Sequence, residues 1–159
     1  MDDILTLCAD LPERTFAAGQ DVLSEGGRSG EVHVLVEGTV GIEVGGVLVK
    51  RVVEPGAFLG EISALLGTVH SARVVALTEA RTKVMPAAQA TSNPDLLLGM
   101  ARLLAARLQA MTGYVADLRH QYADTDTHLG LMADVLSELT SVRPVTISPG
   151  SARPDQPDY

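Results

Sequence analysis

The residues most informative about the fold are Gly56-Ala57-Phe58-Leu59-Gly60-Glu61-Ile62-Ser63-Ala64-Leu65-Leu66-Gly67-Thr68-Val69-His70-Ser71-Ala72. The pattern predicts a strand end, a glycine-bearing turn, one helical turn over about 62–66 that ends at Gly67, and a return to a strand near Ser71. A helix that begins just after Gly60-Glu61 points unpaired backbone N–H groups and the positive end of its dipole outward. Such an end can hold a phosphate or another anion, although the same pattern also occurs in ordinary connecting turns.

Short, valine-rich strands are expected on both sides of this stretch. Val32, Val34 and Val36 alternate with other residues, which is the period-two pattern of a half-buried strand. Gly45-Gly46 separates two apolar runs and predicts a tight hairpin. Further strands are predicted at 22–24, 51–53, 73–77 and 81–85. Short strands with glycines between them are typical of a β-sandwich or barrel.

A long helix is predicted from 94 to 122. Asn93 can cap it, Pro94 lies where a missing N–H does no harm, and Asp95 suits the positive end of the helix. Apolar residues then recur at alternating spacings of four and three, which indicates packing against another helix: Leu97, Ala101, Leu104, Leu108, Met111, Val115, Leu118 and Tyr122. We predict that this heptad seam joins two copies of the chain; the alternative is that it packs on its own barrel.

The residues after Tyr122 are predicted to form two further segments. Apolar residues between Leu129 and Leu139 indicate a short amphipathic helix within 123–142. Residues 143–159 contain four prolines and are expected to be a flexible tail. Two bases against six acids in this region argue against a DNA-reading helix-turn-helix.

The composition excludes several classes of protein. The chain has 159 residues, about one domain, and 46% of them are apolar, so it can form a real core. Twenty acids against twelve bases give a net charge of −8, which argues against a broad nucleic-acid surface. Cys8 is the only cysteine, so no intrachain disulfide can form. The acidic N-terminus is unlike a secretory signal and no apolar run is long enough to cross a bilayer, so we expect no membrane span and a cytoplasmic location.

The order of these elements resembles the cyclic nucleotide-binding domain family over about residues 12–122. The matching segments are Ala18-Gly19-Gln20, Glu25-Gly26, Glu37-Gly38, Gly56-Ala57-Phe58-Leu59-Gly60-Glu61 and Ala105-Ala106-Arg107-Leu108. The resemblance implies a mainly β fold with flanking helices, in which a β jelly-roll (double-stranded β-helix) barrel precedes a long C-terminal helix and a second short helix. The expected domains are the barrel with its long helix (1–122), the short helix (123–142) and the tail (143–159).

The resemblance also implies a ligand site. In the family, a Glu binds the ribose hydroxyl, backbone amides and a Ser or Thr hold the cyclic phosphate, and an Arg neutralises its charge. Glu61 matches the ribose Glu, and Ser71 and Ala72 match the small residues that follow the Arg. Gly60, Ile62 and Ser63 match the amide end of the short helix.

His70 occupies the position of the family's Arg. A neutral imidazole lacks the permanent charge and planar fork of a guanidinium, so tight binding of cyclic AMP is not expected unless another cation replaces it. Arg73 shares strand parity with Ser71 and is the candidate replacement; the alternative is an exposed Arg on a barrel strand. Thr112 is a candidate to hydrogen-bond an adenine edge.

We therefore predict a non-catalytic regulatory module that acts through protein–protein contacts. It is expected to form a homodimer with an unidentified protein partner, to require no cofactor, and to have cyclic AMP or another cyclic nucleotide as its candidate ligand. One alternative is a cupin-type metalloenzyme, which needs several histidines converging inside the barrel. His33 has the wrong parity for this and is expected at the surface. The other alternative is a relic scaffold that has lost its ligand.

Overall fold

The computed structural model describes residues 4–122. The helix predicted within 123–142 and the tail predicted at 143–159 lie outside the described residues, as does the side chain of Tyr122. In chain order the elements are α1 (Ile4–Leu7), β1 (Glu13–Phe16), β2 (Asp21–Leu23), β3 (Glu31–Glu37), β4 (Val40–Val44), β5 (Val47–Val52), β6 (Phe58–Leu59), α2 (Glu61–Leu66), β7 (Arg73–Ala76), β8 (Ala80–Pro86), α3 (Ala87–Ser92) and α4 (Pro94–Tyr122).

Two four-stranded antiparallel sheets form the β region, in the orders β1-β8-β3-β6 and β2-β7-β4-β5. One buried cluster takes side chains from both sheets: Phe16, Val22, Leu23, Leu35, Val40, Val52, Ala57, Leu59, Val74, Ala76 and Ala80. The main core therefore lies between the sheets, where apolar side chains of both are removed from water. The predicted mainly β fold with a long C-terminal helix is confirmed.

A second apolar cluster joins the β3 sheet to the helices. Val32 and Val34 pack there with residues of α3 and α4 and with Cys8, which is fully buried. The opposite face of β3 contributes Leu35 to the core between the sheets. Both faces of β3 are therefore covered by apolar side chains.

This double burial corrects the prediction for His33. The side chain has 0% exposure, whereas its alternation with the three valines indicated a surface position. Alternation separates the two faces of a strand, but it does not tell whether the second face meets water or another layer. Here the valine face is covered by the helices, so the histidine face is the one that lies inside the barrel.

The hairpin and the start of the long helix form as their sequences predict. Gly45 (φ 56°) and Gly46 (φ 79°) join β4 to β5, with Val44 paired to Val47.

The Asn93 side chain accepts hydrogen bonds from the backbone N–H groups of Asp95 (3.0 Å) and Leu96 (3.2 Å) and so caps α4. The helix α3 is an element that the sequence analysis missed.

The boundary between two structural units lies inside α4, after Ala105. In the first unit, Leu96 and Met100 are buried against the barrel, while the neighbouring seam residue Leu97 is 37% exposed. In the second unit, Leu108 and Met111 are 58% and 61% exposed. None of the described helices combines the length and the apolarity needed to cross a membrane.

Candidate functional site

The predicted glycine-bounded turn is present as α2, which lies between β6 and β7. Gly60 precedes the helix with φ 86° and Gly67 ends it with φ 66°, a left-handed conformation that favours glycine at both ends. A Cβ at Gly60 would lie 3.0 Å from Leu23 Cδ1 and 3.1 Å from the backbone oxygen of Glu31. Gly60 is therefore needed for its conformation and for the close approach of β3. Glu61, the first residue of α2, is buried.

The His70 ring is buried and hydrogen-bonded at both nitrogens. Nδ1 lies 2.8 Å from Ser63 Oγ and Nε2 lies 2.9 Å from Ser29 Oγ. The backbone N–H of Ser29 also donates to Nε2, at 3.3 Å. Because a backbone N–H can only donate, Nε2 is an acceptor and the proton of the ring is on Nδ1. Burial lowers the pKa of His70, which favours the same neutral form.

The two hydroxyls extend this arrangement into a chain of hydrogen bonds with one direction. The backbone N–H of Glu31 donates to Ser29 Oγ (3.1 Å), which leaves the Ser29 hydroxyl proton for His70 Nε2. At the other end, Nδ1–H of His70 donates to Ser63 Oγ, and the Ser63 hydroxyl donates to the backbone oxygen of Gly60 (2.9 Å). A proton added at Nε2 would face the N–H of Ser29. The chain of hydrogen bonds therefore fits a neutral imidazole and not an imidazolium.

A cavity of about 200 Å³ lies beside this network. Small-molecule sites usually have about 300–1,000 Å³, so the space is smaller than such ligands require. The lining residues are Arg28, Ser29, Gly30, Glu31, Ser63, Ala64, Gly67, Thr68, His70 and Ala87. The structure thus brings together Ser63 and His70, two of the predicted site residues, with Ser29 and Arg28, which the sequence analysis missed.

Arg28 is the residue that brings a guanidinium to this cavity. Its side chain is exposed and donates to the backbone oxygen of Gly67 at 3.2 Å. Arg28 and Ser29 precede α2 in the chain by more than thirty residues and belong to the connection between β2 and β3. No local motif marks them, because their place at the cavity depends on how this connection folds over α2.

Arg73 is engaged elsewhere. Its Nε donates to Asp21 Oδ1 at 2.8 Å and its Nη1 donates to Glu43 Oε2 at 2.7 Å, and these carboxylates raise its pKa. Asp21 and Glu43 belong to β2 and β4, the two strands that flank β7. The structure therefore brings Arg73 to carboxylates of neighbouring strands, and the guanidinium does not line the cavity.

The remaining predicted residues have varied surroundings. Ile62 is 41% exposed, Ser71 is exposed and Ala72 is half-buried. The Thr112 hydroxyl donates to the backbone oxygen of Leu108 at 2.9 Å, within α4. Part of the hydrogen-bonding capacity of Thr112 is therefore used by its own helix.

His33 is a core histidine. Its Nδ1 lies 3.0 Å from Thr82 Oγ1, and its ring centroid is 5.9 Å from that of Phe16. Its Nε2 is 3.6 Å from Glu31 Oε2 and has no hydrogen-bond partner in the described part of the chain. Burial lowers the pKa of His33 to about 4. Residues 4–122 hold no group of three or more His, Cys, Asp or Glu side chains placed to bind a metal ion.

Comparison with solved structures supports the fold. The structure described as cAMP-bound PfPKA-R has a TM-score of 0.55 at 16% identity, over 68% of this chain and 37% of that chain. The regulatory subunit of a cAMP-independent protein kinase A from Trypanosoma brucei has a TM-score of 0.54 at 22% identity, over 62% and 35%. The N-terminal domain of a transcriptional regulator from Streptomyces coelicolor A3(2) has a TM-score of 0.52 at 22% identity, over 72% and 95%. The chain spans little more than a third of the first two proteins, and at these identities the likeness establishes a shared fold.

Comparison of sequences gives the family. No curated protein sequence matches the chain. The family model of the cyclic nucleotide-binding domain matches residues 13–92, which is half of the chain and includes both sheets, α2 and α3. Since this match covers the strands and the turn at residues 56–72, which is called the cassette from here on, in one continuous segment, the chain belongs to the cyclic nucleotide-binding domain family.

Proposed function

We propose that the chain is a non-catalytic regulatory domain whose cassette is closed by its own His70 network, and that it acts through contacts with other proteins. The observation that carries this proposal is the set of three hydrogen bonds at the His70 ring. Where the family's Arg would offer a permanent charge to a cyclic phosphate, this chain has a neutral ring with both nitrogens in use. The ring stabilises the contact between α2 and the β2–β3 connection instead of an anion.

The loss of the guanidinium has a large energetic consequence for nucleotide binding. Removing one partner of a buried charge-assisted pair costs about 2–5 kcal/mol, a factor of roughly 30 to several thousand in affinity. A phosphate at Ser63 would also compete with the Ser63–His70 hydrogen bond. Both effects favour the ligand-free scaffold over a sensor of cyclic AMP.

A sensor remains the second candidate because of Arg28. This exposed guanidinium lines the cavity and is held by one backbone oxygen, so it is available to a phosphate after a small movement. The chain also keeps Gly60 and Glu61 at the start of the cassette. In a sensor, Arg28 would take the role of the cation that His70 does not supply.

Calorimetric titration with cyclic AMP and cyclic GMP distinguishes the two candidates. We expect no binding by the parent protein up to about 100 μM nucleotide, because the lost guanidinium weakens the affinity. His70→Arg should gain affinity. Micromolar binding by the parent protein that is lost in Arg28→Ala would overturn the scaffold in favour of the sensor. Thermal unfolding checks that each variant is folded. If His70→Arg does not fold, the titration of the parent protein alone decides between the two candidates.

We also propose that the heptad seam of α4 forms a homodimer. Leu97, Leu108 and Met111 are exposed, although leucine and methionine stabilise a fold by being buried. The face of α4 that the barrel covers is a different one, formed by Leu96 and Met100. The seam is therefore left for a second helix, and the dimer would present its outer surfaces to a further protein partner.

A further inference from the structure

The strand β5 is an open edge of its sheet. It comes last in the order β2-β7-β4-β5 and pairs with β4. Within residues 4–122, the backbone of Val47–Val52 makes no hydrogen bond apart from that ladder. Its second row of N–H and C=O groups therefore faces away from the sheet, where a further strand can add.

The side chains of this edge are apolar and exposed. Val47 is 66% exposed, Leu48 39% and Val49 65%. The ladder to β4 is irregular at this point, because Ile42 pairs with Lys50 and Glu43 with Leu48, which leaves Val49 as the extra residue of a bulge. A bulge and charged side chains limit unspecific pairing at a sheet edge, so a strand that adds here needs a complementary charge. Three consecutive exposed apolar residues on an edge strand are the arrangement expected of a docking surface.

Two unpaired cations lie on the same edge. The barrel has seven Lys and Arg side chains before α4, and five of them are hydrogen-bonded to carboxylates or backbone oxygens: Arg14, Arg28, Arg73, Arg81 and Lys83. The other two, Lys50 and Arg51, are exposed, adjacent, and without an ion pair in the described part of the chain. In a chain with a net charge of −8, this edge is a local positive site.

We propose that β5 is the docking edge for an extended acidic segment of a partner protein, which adds to the sheet as a further strand. The free backbone groups of β5 would bind the added strand, and Val47 and Leu48 would contact its apolar side chains. Lys50 and Arg51 are adjacent and lie on opposite faces of the sheet, so each would pair with a carboxylate on its own face of the added strand. A second copy of this chain fits less well, because β5 has no acidic residue and two such edges would bring like charges together. The proposal does not depend on the state of the cassette.

The test uses an end-blocked eight-residue peptide in which pairs of valines alternate with pairs of glutamates, so that both faces of the strand carry both residue types. It is titrated into the whole chain and followed by amide NMR shifts. We expect shifts at Val47–Val52, and no comparable binding of the peptide in which lysine replaces glutamate. Arg51→Glu should weaken binding at least about tenfold, because it removes charge pairing. Raising the salt concentration should also weaken binding, because salt screens the charges. The matched control is Arg102→Glu, an exposed arginine of α4 with the same change of charge, which should alter the affinity less than about twofold.

Four results would overturn the proposal. Equal binding of the two peptides would exclude charge recognition, and shifts located away from β5 would exclude this edge. No binding of the glutamate peptide at millimolar concentration would exclude an acidic strand as the occupant. Shifts of the β5 amides that depend on protein concentration without any peptide would assign the edge to a second copy instead. Circular dichroism of Arg51→Glu checks the fold, and Lys50→Gln is the second variant.

Discussion

At the scale of single residues, two buried histidines differ in how their ring nitrogens are hydrogen-bonded. His70 has hydrogen-bond partners at both ring nitrogens, whereas His33 has one at Nδ1 and none at Nε2 within the described residues. Burial lowers the pKa of both rings. Neither ring therefore supplies a positive charge near neutral pH, and the folded chain resists protonation at both positions.

The low pKa of His33 predicts a loss of stability in mild acid. The folded-state pKa is about 4, below the ordinary histidine value of 6.5, so the unfolded chain takes up the proton first as the pH falls. The contribution of His33 is complete above pH 6.5 and is lost as the pH falls towards 4. Between pH 7.5 and 5 the free energy of unfolding should decrease by about 2 kcal/mol from this residue. Urea unfolding across that range measures it.

The control variants separate His33 from other groups. His33→Asn keeps a partner for Thr82 and should flatten the pH dependence, whatever its effect on stability at pH 7.5. His120→Asn is the same substitution at an exposed position of α4 and serves as the control. His70 acts in the same direction, so a small slope is expected to remain in His33→Asn. An unchanged slope in His33→Asn would contradict the assignment.

At the scale of elements, α2 is defined by its two glycine ends. Both have positive φ, but only Gly60 is crowded, by Leu23 and the backbone of Glu31; nothing lies within 4 Å of a Cβ at Gly67. Gly67→Ala should therefore cost about 1 kcal/mol, from the left-handed conformation alone. Gly60→Ala should cost at least about 2 kcal/mol, because β3 must also move. Thermal unfolding of the two variants measures the difference. Equal losses of stability would show that β3 does not crowd a Cβ at position 60.

Elements with a local signal could be predicted from the sequence. Gly45-Gly46 marks a turn by its own conformation, and Asn93 marks a helix start because its side chain bonds residues two and three positions later. The seam and the buried face of α4 show the limit of this reasoning. Leu96 and Leu97 are adjacent leucines. The heptad periodicity places Leu97 in the seam, but it does not show that Leu96 is buried against the barrel.

Site residues that depend on distant partners could not be predicted. The position of Arg73 in its strand does not identify its hydrogen-bond partners, Asp21 and Glu43, because these lie 52 and 30 residues away in the chain. Ser29 reaches His70 across 41 residues, and a serine in a loop carries no mark of such a contact. The cassette has a local glycine pattern and a place in an ordered set of segments that resemble the family, while the network that closes it comes from the packing of separate elements.

At the scale of the whole molecule, the apolar seam of α4, in which Leu108 and Met111 are exposed and Val115 is half-buried, predicts a dimer that depends on apolar contacts. Leu108 and Val115 are seven residues apart in the seam, so one charge at each position should disrupt two consecutive heptads. We expect the parent protein to sediment as a dimer and the double variant Leu108→Asp, Val115→Asp as a monomer, since each buried leucine contributes about 1.5–3 kcal/mol. The matched control is Gln109→Asp with Ala116→Asp, which places two aspartates at the same spacing but one position off the seam and should leave the dimer intact. An unchanged mass in the seam variant, or equal dissociation of both variants, would reject the seam as the interface.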